Sequence, residues 1–267
     1  MSYALVGSAV PSNVHDHDRW IAPGESSQWE CARVAAVRRE ESATTLRLRL
    51  AETPDLLPGQ YYLVRLAIES GPGAVQQAYS LSSSPFPPTP EIEITVRAVD
   101  GGRASPLLAD RVQVGDLLQV RGPRGFLTWS EHDSGPLGLI GAGSGIAPLV
   151  SFVRYAAARG LETPMTLLCS SRDRKSAFLR EALEELSQRQ SWLSVVHTFT
   201  RSSSDLYSRY HRRIDSAMID EVLFPAHPDH PIAAFYVAGP PEMVLSVRAA
   251  LVDLGVADSR IYSEDHA

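Results

Sequence analysis

The sequence predicts two domains of different class. An antiparallel all-β half, barrel or sandwich, is followed by a doubly wound α/β half around a five-stranded parallel sheet. Three observations carry this reading. Apolar residues recur with period 2 up to about Trp129. Beyond about residue 133, apolar runs alternate with helical stripes. A glycine-rich segment, Gly141-Ala142-Gly143-Ser144-Gly145, stands between the first of those runs and a helix. At 267 residues there is room for two ordinary domains. The expected division is an N-terminal extension over 1–28, a β domain over 29–132 and an α/β domain over 133–267.

In the β half, Leu46, Leu48 and Leu50 alternate with Arg47 and Arg49, and Ile92, Ile94 and Val96 with Glu93 and Thr95. That alternation puts one face of each strand inward. Trp29–Arg38, Tyr61–Ile68, Ala78–Ser83 and Leu117–Arg121 complete about six strands. Turn residues separate them at Leu57-Pro58-Gly59, Ser70-Gly71-Pro72-Gly73, Pro85–Pro90 and Asp100-Gly101-Gly102. One short helix is expected over Ser105–Arg111, with Ser105 as its N-cap. Residues 1–28, rich in Ser, Pro, Gly, His and Asp and without periodicity, read as a mobile tail.

In the α/β half, the strand candidates are Gly138–Ile140, Met165–Cys169, Leu193–Thr198, Ala233–Val237 and Arg260–Tyr262. Between them a helix runs over Pro148–Ala158, with Pro148 in its first turn. Leu179, Ala182, Leu183 and Leu186 follow i, i+3, i+4, i+7, and Met243, Val247, Leu251 and Leu254 form a similar stripe ended by Gly255. Both stripes read as core.

Composition excludes several classes. With 44% apolar and 21% charged residues, the chain is globular. A net charge of −6 without a basic run argues against nucleic acid. The two cysteines, Cys31 and Cys169, cannot ligate an iron–sulfur cluster on four thiolates. No Cys/His spacing suggests a metal, and the eight histidines are scattered. The cysteines read as small apolar strand residues, reduced in a cytoplasmic setting. No apolar run reaches the roughly 18 residues of a membrane span, and no signal peptide is read.

Two segments carry chemistry. In Gly141–Gly145, glycine lets backbone N–H groups approach a pyrophosphate at a helix N-terminus. Strand, loop and helix is the context this requires, and the following Ile146-Ala147-Pro148 adds specificity. After the next strand, Ser170-Ser171-Arg172-Asp173-Arg174-Lys175 sets three cations against one acid. Near an adenosine ribose that balance favours a 2′-phosphate, hence NADPH over NADH. The bland alternatives are a structural turn and a charged surface loop. The second segment, Gln77-Ala78-Tyr79-Ser80-Leu81-Ser82-Ser83-Ser84-Pro85, offers a flat aromatic ring and hydroxyls from an extended strand, suited to a flavin.

These residues resemble the ferredoxin–NADP reductase superfamily, especially compact bacterial oxygenase-reductase modules, over roughly residues 29–264. Leu57-Pro58-Gly59-Gln60-Tyr61 resembles the approach to the family's flavin barrel, and Gln77-Ala78-Tyr79-Ser80 its Arg-x-Tyr-Ser motif. Gly101-Gly102-Arg103-Ala104-Ser105 is similar to the segment holding the flavin phosphate, and Gly122-Pro123-Arg124-Gly125-Phe126 to the strand end closing the barrel. Ala238-Gly239-Pro240-Pro241-Glu242-Met243 resembles Cys-Gly-Pro-Pro-x-Met, and Arg260-Ile261-Tyr262-Ser263-Glu264 the terminal strand.

The resemblance implies a six-stranded Greek-key barrel for the β half, FAD as flavin with FMN as the alternative, and NADPH or NADH as hydride donor. It implies that Tyr79 covers the isoalloxazine, that Ser80 bonds near flavin N5 and that Glu264 is the terminal acid, with Ser80 and Glu264 as catalytic candidates. Gln77, Ala78, Val96, Arg97, Gly101, Gly102, Ala104 and Ser105 would line the flavin. Gly141, Ala142, Gly143, Ser144 and Gly145 would carry the pyrophosphate. Ser171, Arg172 and Arg174 would face the adenosine, and Ala238, Gly239 and Pro240 the nicotinamide.

Two positions depart from the pattern. Gln77 stands where the motif has arginine and cannot supply its charge; Arg103 and Arg97 are candidates to replace it. Ala238 stands where the motif has cysteine. This sequence shows no cysteine-rich ferredoxin segment, so electrons are expected to pass to a ferredoxin, an oxygenase component or a small molecule. The alternatives are a reductase using diffusible flavin as substrate, and a non-catalytic nucleotide-binding or electron-transfer subunit.

Overall fold

The computed structural model describes residues 29–67, 74–133, 135–202, 205–225 and 231–266. The expected extension over 1–28, the turn Ser70–Gly73 and Ile68 lie outside the described residues. The chain divides into two compact units. Among the described residues, the first takes 29–56, 60–67, 74–81 and 88–125. The second takes Leu57–Gly59, Ser82–Pro87 and the chain from Phe126 onward.

In the first unit, β1 (Glu30–Arg39), β2 (Thr44–Arg49), β3 (Tyr61–Ala67), β4 (Ala74–Ser80), β5 (Glu91–Val96) and β6 (Leu117–Arg124) form one antiparallel sheet. Its order is β4-β3-β6-β1-β2-β5. The isolated bridge Leu81↔Ile94 brings the two outer strands together, which makes the sheet a barrel. The period-2 residues do what their spacing predicts. Leu46, Leu48, Ile92, Ile94 and Val96 are buried together with Val64, Leu66, Leu118 and Val120. Each such side chain contributes about 1.5–3 kcal/mol through burial. Opposite them, Arg47 pairs with Glu93 and Arg49 with Glu91 on the outer face. These exposed pairs contribute little.

In the second unit, β7 (Leu137–Ala142), β8 (Met165–Ser171), β9 (Leu193–Phe199), β10 (Ala234–Gly239) and β11 (Ile261–Asp265) are all parallel, in the order β11-β10-β7-β8-β9. Four helices connect them: α2 (Ile146–Arg159), α3 (Arg180–Arg189), α4 (Ser216–Leu223) and α5 (Pro241–Asp253). Met218, Ile219 and Leu223 of α4 and Val244, Val247 and Leu251 of α5 pack with Ile140, Leu168, Phe235 and Val237. The chain works outward from β7 through β9, then returns to β10 on the other side of β7. The carboxyl ends of β7 and β10 therefore flank the switch point, where open α/β sheets bind ligands.

Several expectations are corrected. β4 begins at Ala74, because Val75 already packs on the core, and it ends at Ser80. Ser105 is not the N-cap of α1 (Ser105–Asp110). Ala104 caps without a side-chain bond, and Ser105 Oγ instead accepts from Val99 N at 3.2 Å. Cys31 is exposed on β1, so only Cys169 is a buried filler. The sequence reading has no helix over 216–223, although Asp215, which accepts from Met218 N, starts one. Gly255 follows α5 with φ +88°, the left-handed position its spacing predicts.

Candidate functional site

The flavin candidates lie in the first unit. β4 pairs with β3 so that Tyr79 faces Tyr62, Gln77 faces Val64 and Val75 faces Leu66. Residues directly opposite share a face, and Tyr62, Val64 and Leu66 are wholly buried. Gln77 therefore occupies an inward register, yet its side chain is exposed. Barrel closure explains this. Among the described residues β4 and β5 are joined by the one bridge at Leu81, so the seam beside Gln77 is open.

Two residues further on, Tyr79 is buried, and its hydroxyl has no hydrogen-bond partner. Burial pushes that phenol well above its ordinary pKa. A buried donor of this kind costs stability unless another group satisfies it. Ser80 is buried beside it, opposite Tyr61. Ala78 is exposed on the other face.

Across the seam, β5 ends at the buried Val96. Arg97 Nε donates to the carbonyl of Ser42 at 3.3 Å, so that guanidinium is engaged with the neighbouring loop. The turn into α1 is tight. Gly102 N donates to Val99 O at 2.8 Å, and a Cβ on Gly102 would stand 2.8 Å from Ser105 Oγ. Gly101 sits at φ +74°, Arg103 is exposed and Ala104 is buried. Gln77, Tyr79 and Ser80 thus share one strand, and Gly101–Ser105 form one turn after the facing edge strand.

The nucleotide candidates lie in the second unit at the switch point. After β7, Gly143–Gly145 make a single 3₁₀ turn that leads into α2. Gly141 and Gly145 are buried, while Ser144 is exposed. Gly145 lies directly against the end of β10. A Cβ there would meet the Ala238 carbonyl oxygen at 2.3 Å and Gly239 N at 2.5 Å. Gly239, with φ +156°, packs in turn on Ala142, and Pro240 begins the turn into α5. This is the close helix–strand approach that a pyrophosphate loop requires.

At the end of β8, Ser171 is buried with its Oγ unpartnered. Arg172 and Arg174 are exposed. The one acid of the loop, Asp173, accepts from Ser176 N at 2.8 Å, and that backbone N–H holds its carboxyl below the usual range. Asp173 therefore closes its own loop. Arg174 lies over the Tyr207 ring at 4.6 Å, and Tyr207 stacks on Phe199. Thr200 N and Arg201 N donate to the carbonyls of Ser171 and Arg172, which brings the exposed Arg201 beside them. Arg201 and Tyr207 are absent from the sequence reading, since their stretch carries no periodic signal. Glu264, beside Ala238 in the β10–β11 register, lies 3.0 Å from His266 Nε2, a close contact without hydrogen-bond alignment. His266 N donates to Gly239 O. His266 is a further residue that the sequence reading does not include.

Residues 34–129 match the family described as Oxidoreductase FAD-binding domain, and residues 139–249 match Oxidoreductase NAD-binding domain. The chain belongs to the ferredoxin reductase-like oxidoreductases. It is 31% identical over 220 residues to a flavohemoprotein of Bordetella pertussis, covering 79% of this chain and 53% of that one. It is 31% identical over 233 residues to the ferredoxin reductase component of a 3-ketosteroid-9-alpha-monooxygenase of Rhodococcus rhodochrous, covering 84% of this chain and 62% of that one. The oxidoreductase thus spans between about half and two thirds of the length of these curated relatives. Its fold is that of the flavohem-like FAD/NAD-binding domain of a nitric oxide dioxygenase from Vibrio cholerae, with TM-score 0.77, 24% identity and coverage of 89% and 98%. Among the described residues no helix is long and apolar enough to cross a membrane.

Proposed function

We propose that this chain is an NAD(P)H-dependent flavin oxidoreductase that holds FAD in its barrel and passes electrons to a separate acceptor. The observation that carries the reading is the pairing of two sites on one chain. The barrel has an open seam at Gln77 and, two residues on along the same strand, a buried Tyr79 with an unpartnered hydroxyl, and the second unit has a glycine loop packed on the end of β10 at the switch point. Both fit their groups. The seam leaves an inward-facing position for a ligand to cover, and the loop presents backbone N–H groups where a side chain could not fit.

When bound, the nicotinamide supplies a hydride and the flavin accepts it. The chain's own part is binding and orientation. Tyr79 offers an aromatic face and a donor at the seam, and Ser80 a neutral hydroxyl near the reacting ring. The Gly101–Ser105 turn offers backbone amides to a phosphate. Gly141–Gly145 hold a pyrophosphate, Ser171, Arg172 and Arg174 face the adenosine end, and Ala238–Pro240 with Glu264 border the nicotinamide. With Asp173 turned onto its own loop, the cations dominate the loop's outer side, which favours NADPH.

The named relatives suggest a ferredoxin or an oxygenase component as acceptor, and reduced cysteines suit a cytoplasmic setting. Gln77 supports a second reading. Without a charge at the seam, flavin is held less tightly, and it can act as a diffusible substrate. The test is direct. The purified protein is examined for flavin absorbance, titrated with FAD and FMN, and assayed for NADPH and NADH oxidation with and without added flavin. Bound or titratable flavin reduced by either nucleotide supports the reading. Oxidation only with excess free flavin favours the second, and a protein that binds nucleotide but never reduces flavin is a non-catalytic subunit.

A further inference from the structure

Tyr207 belongs to the segment after β9, yet it holds a residue of the loop after β8. The Arg174 guanidinium lies over its ring, 4.6 Å from the centroid. The ring itself is fixed by neighbours in the same unit. It stacks on the wholly buried Phe199, with centroids 6.0 Å apart and planes 13° apart. His197, two residues before Phe199 on β9, leans on it at 5.4 Å. On α3, Glu184 accepts from its hydroxyl, and from Arg180 Nη1 at 2.7 Å. Burial first, then that carboxylate, pushes the phenol up to about 12, so it stays a donor. The backbone is tied down too. Tyr207 N donates to Asp205 Oδ1 at 3.0 Å, and Ser208 Oγ donates to the carbonyl of His197 at 2.6 Å. Arg174, by contrast, is exposed on its loop. In this pair the ring is the anchor, and the cation is the group being ordered.

We propose that Tyr207 is a positioning residue for nucleotide choice: by ordering Arg174 before a ligand arrives, it strengthens the preference for a 2′-phosphate over a free 2′-hydroxyl. The inference rests on the function proposed above, in which Arg174 faces the adenosine end. A cation is drawn to the face of an aromatic ring, and a guanidinium stacked on a ring keeps its planar fork of N–H donors for an anion. An exposed arginine has many rotamers to lose when it grips a phosphate. A side chain already ordered loses fewer, and affinity for the anion rises accordingly. Asp173, next to Arg174, accepts from Ser176 N, so its charge is directed at its own loop. Tyr207 acts through Arg174. Its loss should therefore be felt at the 2′-phosphate and not at the parts that the two nucleotides share.

The test uses Tyr207→Leu, Tyr207→Phe, Arg174→Ala and the double variant Tyr207→Leu/Arg174→Ala in the full chain. Dissociation constants of 2′,5′-ADP and 5′-AMP, which differ only in the 2′-phosphate, are measured by calorimetric titration. In Tyr207→Leu, affinity for 2′,5′-ADP should fall about three- to tenfold, the scale of ordering one long side chain. Affinity for 5′-AMP should stay within about twofold of wild type. Tyr207→Phe keeps the ring and should keep most of the preference. In the Arg174→Ala background, Tyr207→Leu should cost nothing further, since the partner it orders is gone. Equal losses for both ligands overturn the proposal, because they mean a merely structural role. So does a loss that persists without Arg174, and so does a gain in 2′,5′-ADP affinity, which would mean that the ring withholds the cation. If Tyr207→Leu does not fold, Tyr207→Gln, which keeps a polar contact but no ring, decides by the same criteria. A wild type that binds both ligands equally overturns the assignment of the loop cations itself. A wild type that discriminates, with a Tyr207→Leu variant that discriminates as well, overturns this inference alone.

Discussion

A Cβ on Gly145 would stand 2.3 Å from the carbonyl oxygen of Ala238. The glycine loop and the end of β10 are therefore in backbone contact, and this close approach depends on a residue without a side chain. Gly145→Ala should lower stability by about 1–3 kcal/mol, the usual scale of overpacking. Thermal denaturation reads this directly. Affinity for NADP⁺ should fall with it, because the loop must move off β10. A variant that binds NADP⁺ as the parent does would show that the loop yields without cost.

Gln77→Arg adds a cation at the open seam of the barrel. FAD affinity should rise by about 1.5–3 kcal/mol, the range of hydrogen bonds to charged groups. Titration followed by flavin fluorescence measures it. If affinity does not change, position 77 does not face the flavin phosphate.

Replacing both Arg172 and Arg174 with alanine should narrow the preference for NADPH over NADH, chiefly by raising KM for NADPH. Arg174 also covers Tyr207, so Arg172→Ala alone separates the charge effect from the stacking. A parent protein that uses both nucleotides equally well contradicts the assignment at the outset.

Ser80→Ala should slow flavin reduction while leaving flavin content nearly unchanged. A neutral donor removed from a closed site costs about 2–3 kcal/mol in the transition state, at the lower end of the known range. Stopped-flow rates equal to the parent's would remove Ser80 from the mechanism.

Stability should depend on pH through His197. It is 7% exposed, and burial lowers its pKa from 6.5 to about 4, with Arg180 adding to the shift and Glu184 opposing it. The folded state keeps the imidazole neutral, whereas the unfolded chain protonates it below about 6.5. The unfolded state therefore binds more protons in that window. The contribution is full above pH 6.5 and is lost as pH falls towards 4, by at most about 3 kcal/mol. Denaturant unfolding of His197→Gln from pH 7 to 4.5 should show a flatter profile than the parent. Parallel profiles would mean that other groups govern the acid limb.

Much of this protein is written in local patterns. The alternation in 46–50 and 92–96 and the stripe Met243–Leu254 reflect periods of 2 and 3.6, which need only neighbouring residues to be recognised. Gly141–Gly145 were legible for a similar reason, since strand, loop and helix are contiguous. Residues that act by contact across the chain were not legible. Gln77 is an exposed polar residue in any local view. Only the pairing with Val64 and the isolated bridge at Leu81 place it in an inward register at an unclosed seam. Arg201 and His266 come beside the candidate nucleotide residues through backbone bonds to Arg172 and Gly239, each set by strand order. Short-range periodicity determined the elements and their class. Long-range pairing, which closes a barrel and sets β10 beside β7, decided which of their residues meet.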